Sequence, residues 1–237
     1  MVEAILLDLD NTLLENDMRA FMRPYLARLS QYLADLIPPD EMLRRLNLGV
    51  ERMLQNDGTG PTNEETFMAV FFEGLEAPRE AVLARFWAFY EGEFDHLRPY
   101  VRPKPAARPL VEEAFRQGYR VVVATQPMFP LLANRKRLEW AGVGDFPYDL
   151  ITSYETMHAC KPHLAYYREI AERLGVPPHR CLMAGDSVEW DLVAAEIGMR
   201  TFWVTDSLPA PLPPPPPHVD GHGGLEDLLR FLSVGPQ

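Results

Sequence analysis

At about 150 residues per domain, a chain of 237 residues has room for one large domain, or for a core with an accessory domain. Apolar residues make up 47%, charged residues 24% and aromatics 11%, which excludes a wholly disordered chain and a coiled-coil rod. The net charge of −11 argues against a general binder of nucleic acid or anionic membrane, so an anionic substrate would need a metal ion or a local cation beside it.

The chain opens with a short apolar run, Ala4-Ile5-Leu6-Leu7, leading into Asp8-Leu9-Asp10-Asn11-Thr12. That pattern predicts a buried strand ending in polar residues. From about Arg19 to Phe94 the texture becomes helical. Met22, Tyr25, Leu26, Leu29, Leu33, Leu36 and Ile37 recur at helical spacing, and Pro38-Pro39 is expected to stop that helix. Met42, Leu46, Val50 and Met53 repeat the pattern up to Asn56-Asp57-Gly58, and Leu83, Phe86, Trp87, Tyr90 and Phe94 mark a further apolar face. No strand is expected in this stretch, and the proline-rich Arg98–Pro105 reads as a linker back to the core.

Beyond the linker, strands and helices alternate. Strands are predicted at Tyr119–Ala124, Asp149–Thr152, Arg180–Ala184 and Thr201–Thr205, and helices at Ala106–Gln117, Phe129–Trp140, His163–Leu174, Val188–Ile197 and Leu225–Leu232. Gly118, Gly175 and Gly198 follow three of these helices, where a left-handed residue is wanted. Alternating units of this kind imply a parallel sheet covered by helices on both faces. The expected organisation is an α/β core of residues 1–15 and 99–237 with an all-helical insert at 16–98. Pro209 to Pro217 holds seven prolines in nine residues and reads as a stiff surface loop rather than a polyproline ligand.

Two cysteines, Cys160 and Cys181, exclude a disulfide scaffold. The N-terminus has no basic leader, and no stretch approaches the ~20 apolar residues of a membrane span. The expectation is a soluble, cytoplasmic protein that binds neither nucleic acid nor membrane.

Ligands of open parallel sheets sit beyond the carboxyl ends of the strands. The first strand ends there at Asp8, the second at Thr125 and the fourth at Gly185-Asp186, with Lys161 between the third strand and its helix. Asp8 and Asp10 are two apart and in extended backbone would project to one side. With Asp186 and Asp191 they form an oxygen-only donor set suited to Mg²⁺. Phosphoryl transfer needs charge neutralisation, a nucleophile and a proton relay. Asp8 could attack phosphorus, and Asp10 could serve the leaving oxygen and then water. Thr125 and Lys161 could hold the phosphoryl oxygens.

These four segments, Asp8-Leu9-Asp10-Asn11-Thr12, Val121-Val122-Val123-Ala124-Thr125, Lys161-Pro162 and Gly185-Asp186-Ser187-Val188-Glu189-Trp190-Asp191, resemble the ordered motifs of the haloacid dehalogenase-like (HAD) hydrolases from Asp8 to about Val204. The resemblance implies a Rossmann-like core of strand order 3-2-1-4-5 and a Mg²⁺-dependent aspartyl-phosphate mechanism. By position, Asp8 would be the nucleophile and Asp10 the acid/base. Thr125, Gln126 and Lys161 would bind phosphate, and Asp8, the Asp10 carbonyl and Asp186 would ligate the metal with support from Asp191. Gln126 stands where relatives commonly have Asn. Asp10 favours a phosphatase or phosphomutase over a dehalogenase, whose members lack this second aspartate.

An insert between the first two motifs is a C1 cap in this superfamily, and Thr125 lies 115 positions after Asp10. The implied function is a phosphatase for a small phosphorylated metabolite, acting as a monomer or homodimer. A sugar-phosphate phosphomutase or a non-catalytic binding protein on the same fold are the alternatives. Lys161 is one of only three lysines, with Lys104 and Lys136, against 20 arginines. His218-Val219-Asp220-Gly221-His222 reads as a glycine-rich loop rather than a metal site. Cys160 reads as a small buried residue rather than a reactive thiol. Arg19 and Arg23 could reach an anionic substrate or simply snorkel. Trp87, Phe89 and Tyr90 could line a substrate pocket, though a helical stripe of this kind reads first as core.

Overall fold

A computed structural model describes residues 1–234. Strand β1 (Ala4–Leu7) lies at the middle of a six-stranded sheet. Its neighbours are β4 (Arg120–Val123) and β6 (Cys181–Gly185), both parallel to it. β5 (Leu150–Ile151) extends the sheet beyond β4, and β7 (Arg200–Val204) and β8 (Gly221–Gly223) extend it beyond β6. Counting only the strands of this sheet in chain order, the first five stand 3-2-1-4-5, as expected, and β8 adds a sixth at the edge. His218–His222, read from sequence as a loop, contributes part of this edge strand, whose Gly221–Gly223 pairs in parallel with Phe202–Val204.

Side chains alternate across the sheet, and both faces are dry. Ile5, Leu7, Val121, Val123, Leu182 and Ala184 join one apolar cluster, whereas Ala4, Leu6, Val122, Ala124, Cys181 and Met183 join the other. That is why the central strands read as unbroken apolar runs. The first face is covered by α5 (Ala107–Arg116), α6 (Leu131–Trp140) and α8 (Leu225–Val234). The second is covered by α7 (Leu164–Leu174), which ends at Gly175 in the left-handed conformation, φ 66°. Gly118 and Gly198 also adopt positive φ at their helix ends.

Between the first two strands of the sheet stand α1 (Met18–Tyr32), α2 (Pro39–Leu54), α3 (Asn63–Phe72), α4 (Arg79–Glu91) and a 3₁₀ segment, Glu93–Tyr100. Asp17 caps α1 by accepting from the backbone of Arg19 and Ala20. The first helix ends before Pro38, and Pro39 instead begins α2, where its missing N–H costs nothing. Helix α3 was not expected; Thr62 and Glu65 start it with a reciprocal capping box.

The boundary segments also differ from expectation. β2 (Leu14–Asn16) and β3 (Val101–Pro103) pair antiparallel, so the stretch read as a linker is half of a two-stranded ribbon. The apolar cluster on one sheet face continues without a break into α1–α4. At the far end, buried Asn63 donates to the Ala159 carbonyl at 3.2 Å, fastening α3 to the segment that precedes Lys161. No helix among the described residues is long and apolar enough to cross a membrane.

Candidate active site

The carboxyl ends of β1, β4 and β6 meet at one edge. Asp8 follows β1 directly, and its N–H donates to the Ala184 carbonyl at 2.9 Å. The residue is only 7% exposed. Lys161, 2% exposed, reaches Asp8 Oδ1 at 2.8 Å and Asp191 Oδ1 at 2.5 Å. Asp191 Oδ2 in turn accepts from the Ser187 N–H at 3.0 Å. That contact requires glycine at 185, because a Cβ there would stand 2.2 Å from Asp191 Oδ2. It also explains why the predicted helix over Val188–Ile197 is a loop followed by a six-residue 3₁₀ segment, Leu192–Ile197. The Asp191 side chain folds back to the start of the turn to meet Ser187 and Lys161.

Carboxylate oxygens of Asp8, Asp186 and Asp191 lie within 4.8 Å of one another. Burial, and then the neighbouring Asp191, push Asp186 up to about 6. Burial also raises Asp8 well above the usual carboxylate range, against the pull of Lys161. Burial works against the Lys161 ammonium, but Asp191 and Asp8 outweigh it and hold the group charged. Three carboxylates against one ammonium leave a negative excess in a dry place. Hard, oxygen-only donors with unmet charge fit a divalent cation, and the upward push on Asp186 marks the same demand.

Asp10 is placed differently. β1 ends at Leu7 and Leu9 sits in a turn, so Asp8 and Asp10 do not share one extended face. The Asp10 carboxylate stands outside the trio and pairs with the buried guanidinium of Arg137, and it also accepts from Asn16 Nδ2 at 2.7 Å. Arg137 Nη1 donates to Asn134 Oδ1 at 3.2 Å, and Asn134 Nδ2 donates to the Thr152 carbonyl at 2.9 Å. Thr152 and Tyr166 both donate to the Thr125 carbonyl, at 2.8 and 2.9 Å. A buried chain of polar contacts thus runs from Thr125 to Asp10. Neither Arg137 nor Asn16 was singled out in the sequence. The available signal was an arginine on the buried face of α6, alongside Ala133, Asn134 and Leu138.

Gln126 does not point its amide outward. Its Oε1 accepts from the Lys161 N–H at 2.9 Å while its Nε2 donates to the Lys161 carbonyl at 3.0 Å, a two-point clamp on that backbone. Cys160 is buried and its thiol is pushed up to about 12 by desolvation, which removes it from thiolate chemistry. Arg19 and Arg23 are exposed, and Phe89 is core, whereas Trp87 and Tyr90 border a cavity.

The profile of the haloacid dehalogenase-like hydrolases matches residues 2–197, and the chain belongs to that family of hydrolases. A phosphatase of Mycobacterium tuberculosis (strain CDC 1551 / Oshkosh) is 34% identical over 134 residues, a match that spans only 56% of each chain. A phosphoglycolate phosphatase of Nitrosospira multiformis is 24% identical over 210 residues, 86% of this chain and 83% of that one. Among solved structures, a 2-haloacid dehalogenase from Pseudomonas syringae superposes with a TM-score of 0.66 at 19% identity, covering 99% of both chains. A HAD phosphatase from Thermococcus onnurineus gives 0.58 at 22% identity, covering 100% of this chain and 99% of that one. At such identities the two structures attest the fold.

Proposed function

We propose that the chain is a divalent-metal-dependent phosphatase, with Mg²⁺ as the fitting ion, that hydrolyses a small phosphomonoester through a phosphorylated Asp8. The observation that carries this reading is the buried Lys161 ammonium bridging Asp8 and Asp191 within a trio of carboxylates. Relatives named as phosphatases support it.

Asp8, Asp186 and the Asp10 carbonyl would hold the metal, with Asp191 supporting them. The ion's contribution when bound is to neutralise charge on the phosphoryl group and on Asp8. A carboxylate oxygen of Asp8 attacks phosphorus while the bond to the leaving oxygen breaks, and protonated Asp10 gives its proton to that oxygen. The product alcohol departs, leaving an acyl phosphate on Asp8. Asp10, now a carboxylate, takes a proton from water as the water oxygen attacks phosphorus. Inorganic phosphate leaves and the Asp8 carboxylate is restored. Lys161 balances charge on Asp8 and the phosphoryl oxygens, Thr125 donates to those oxygens, and Gln126 holds the Lys161 backbone in place. Residues 16–98 would act as a C1 cap over this site.

Phosphate release from a panel of phosphomonoesters, with Mg²⁺ and with chelator, tests the reading. Metal-dependent release of one inorganic phosphate per ester consumed is expected. Isomerised ester without net phosphate would convert the assignment to a mutase, and inert chemistry across the panel would end it.

A further inference from the structure

Between α1–α4 on one side and the loop after β4 on the other lies a cavity of about 100 Å³. Among the described residues, no Asp, Glu, Lys or Arg side chain lines it. Its polar side-chain atoms are few: the hydroxyls of Tyr25 and Tyr90, which satisfy each other at 2.8 Å, the Tyr154 hydroxyl and the Trp87 indole N–H. The space is therefore dry and apolar.

Two of its walls touch the partners of Asp10. Met18 Sδ accepts from Asn16 Nδ2 at 3.2 Å, and the same Nδ2 donates to Asp10. Phe129 lies under the Arg137 guanidinium, 5.2 Å from ring centroid to Cζ, and that guanidinium pairs with Asp10. A proton donor must stand beside the leaving oxygen it protonates. Whatever is attached to that oxygen then lies next to these walls.

Resting on the phosphatase reading above, we infer that this cavity is the leaving-group subsite and that the substrate is a phosphomonoester of a short-chain apolar alkyl alcohol. Carboxylated and polyhydroxylated leaving groups find no cation and little free hydrogen-bonding capacity there, so burying them would leave their polar groups unmet. The size sets a limit. Set against the roughly 150 Å³ apolar cavity that takes up benzene, the space holds about four carbon atoms.

The test is a series of n-alkyl phosphates from methyl to octyl, read as kcat/KM with Mg²⁺, beside 2-phosphoglycolate and glycerol phosphate. Each buried methylene is expected to raise kcat/KM about fourfold until the cavity is full, after which the rise stops. The polar esters should fall below butyl phosphate. Val50 and Leu83 line the cavity and are only partly buried. Val50→Phe should lower the butyl-to-methyl ratio at least tenfold, and Leu83→Ala should move the plateau to longer chains. Dissociation constants of n-alkylphosphonates, which cannot be hydrolysed at an ester oxygen, provide the second arm. A flat alkyl series with brisk turnover, or preference for the polar esters, overturns the subsite and leaves the phosphatase standing. Absent turnover with phosphonate affinity that still climbs per methylene overturns the phosphatase and leaves the apolar site.

Discussion

The two sides of the active-site region solve burial in opposite ways. At the sheet edge the buried groups are charged, and each is held by specific partners: Lys161 by Asp8 and Asp191, Arg137 by Asp10 and Asn134. On the helical side, where α1, α4 and the 3₁₀ segment meet, a cluster of aromatic rings is buried instead. Phe21, Tyr25, Phe89, Tyr90 and Phe94 meet edge-on, tilted or stacked, with ring centroids 5.4 to 6.4 Å apart. Removing one partner of a buried ion pair strands the other, whereas trimming a packed ring loses only contacts and area. The first side should therefore fail abruptly under substitution and the second by degrees.

The largest effect is expected at Asp8. Asp8→Asn should lower phosphate release by about four orders of magnitude or more, as loss of a nucleophile does, with the circular dichroism spectrum retained. Arg137→Met comes next, because it leaves the Asp10 carboxylate with Asn16 as its remaining side-chain partner. A loss of about 3 kcal/mol is expected, near the lower bound for breaking a buried pair since Asp10 keeps some solvent contact. In a chain this long that lowers Tm by roughly 6–12 °C. Adding Asp10→Asn should restore part of the stability but not the activity, and a double-mutant cycle in calorimetry reads the coupling.

Metal binding supplies a smaller and pH-dependent effect. Asp186 holds its proton up to about 6 in the fold against 3.8 for an ordinary aspartate, so the native state binds that proton more tightly than the unfolded chain. Its stabilising contribution to the metal-free protein is complete below pH 3.8 and is lost as pH rises through 6. A cation competes with the proton, so the Tm gain on adding Mg²⁺ should be slight at pH 5 and much larger at pH 7.5. A gain that shrinks as pH rises would contradict this. The mildest change is Tyr90→Phe, which deletes one hydroxyl of the Tyr25–Tyr90 pair and should cost about 1 kcal/mol, a Tm drop of roughly 2–4 °C.

The parts legible in the sequence were those marked by short unbroken apolar runs or by motif order. Ala4–Leu7 and Val121–Val123 read as strands because both faces are buried, and Asp8 and Asp186 stood at strand ends, with Lys161 and Asp191 in the segments that follow strands, all four at the edge where the sheet gathers them. Three things were hidden for identifiable reasons. Arg137 pairs with a residue 127 positions away, which no local pattern encodes. The 188–197 segment has a helical apolar pattern, but the Asp191 side chain is drawn into the site and its first turn opens into a loop. The β2–β3 ribbon consists of two three-residue strands, too short for alternation to register.

That ribbon carries Asn16, whose amide donates to Asp10. The peptide crossing into the four helices and the electrostatic setting of the proposed proton donor are thus one object. Under the proposed cap role, a swing of the helices about this joint would tug on that carboxylate through Asn16, so that opening the door and cocking the acid would be a single motion.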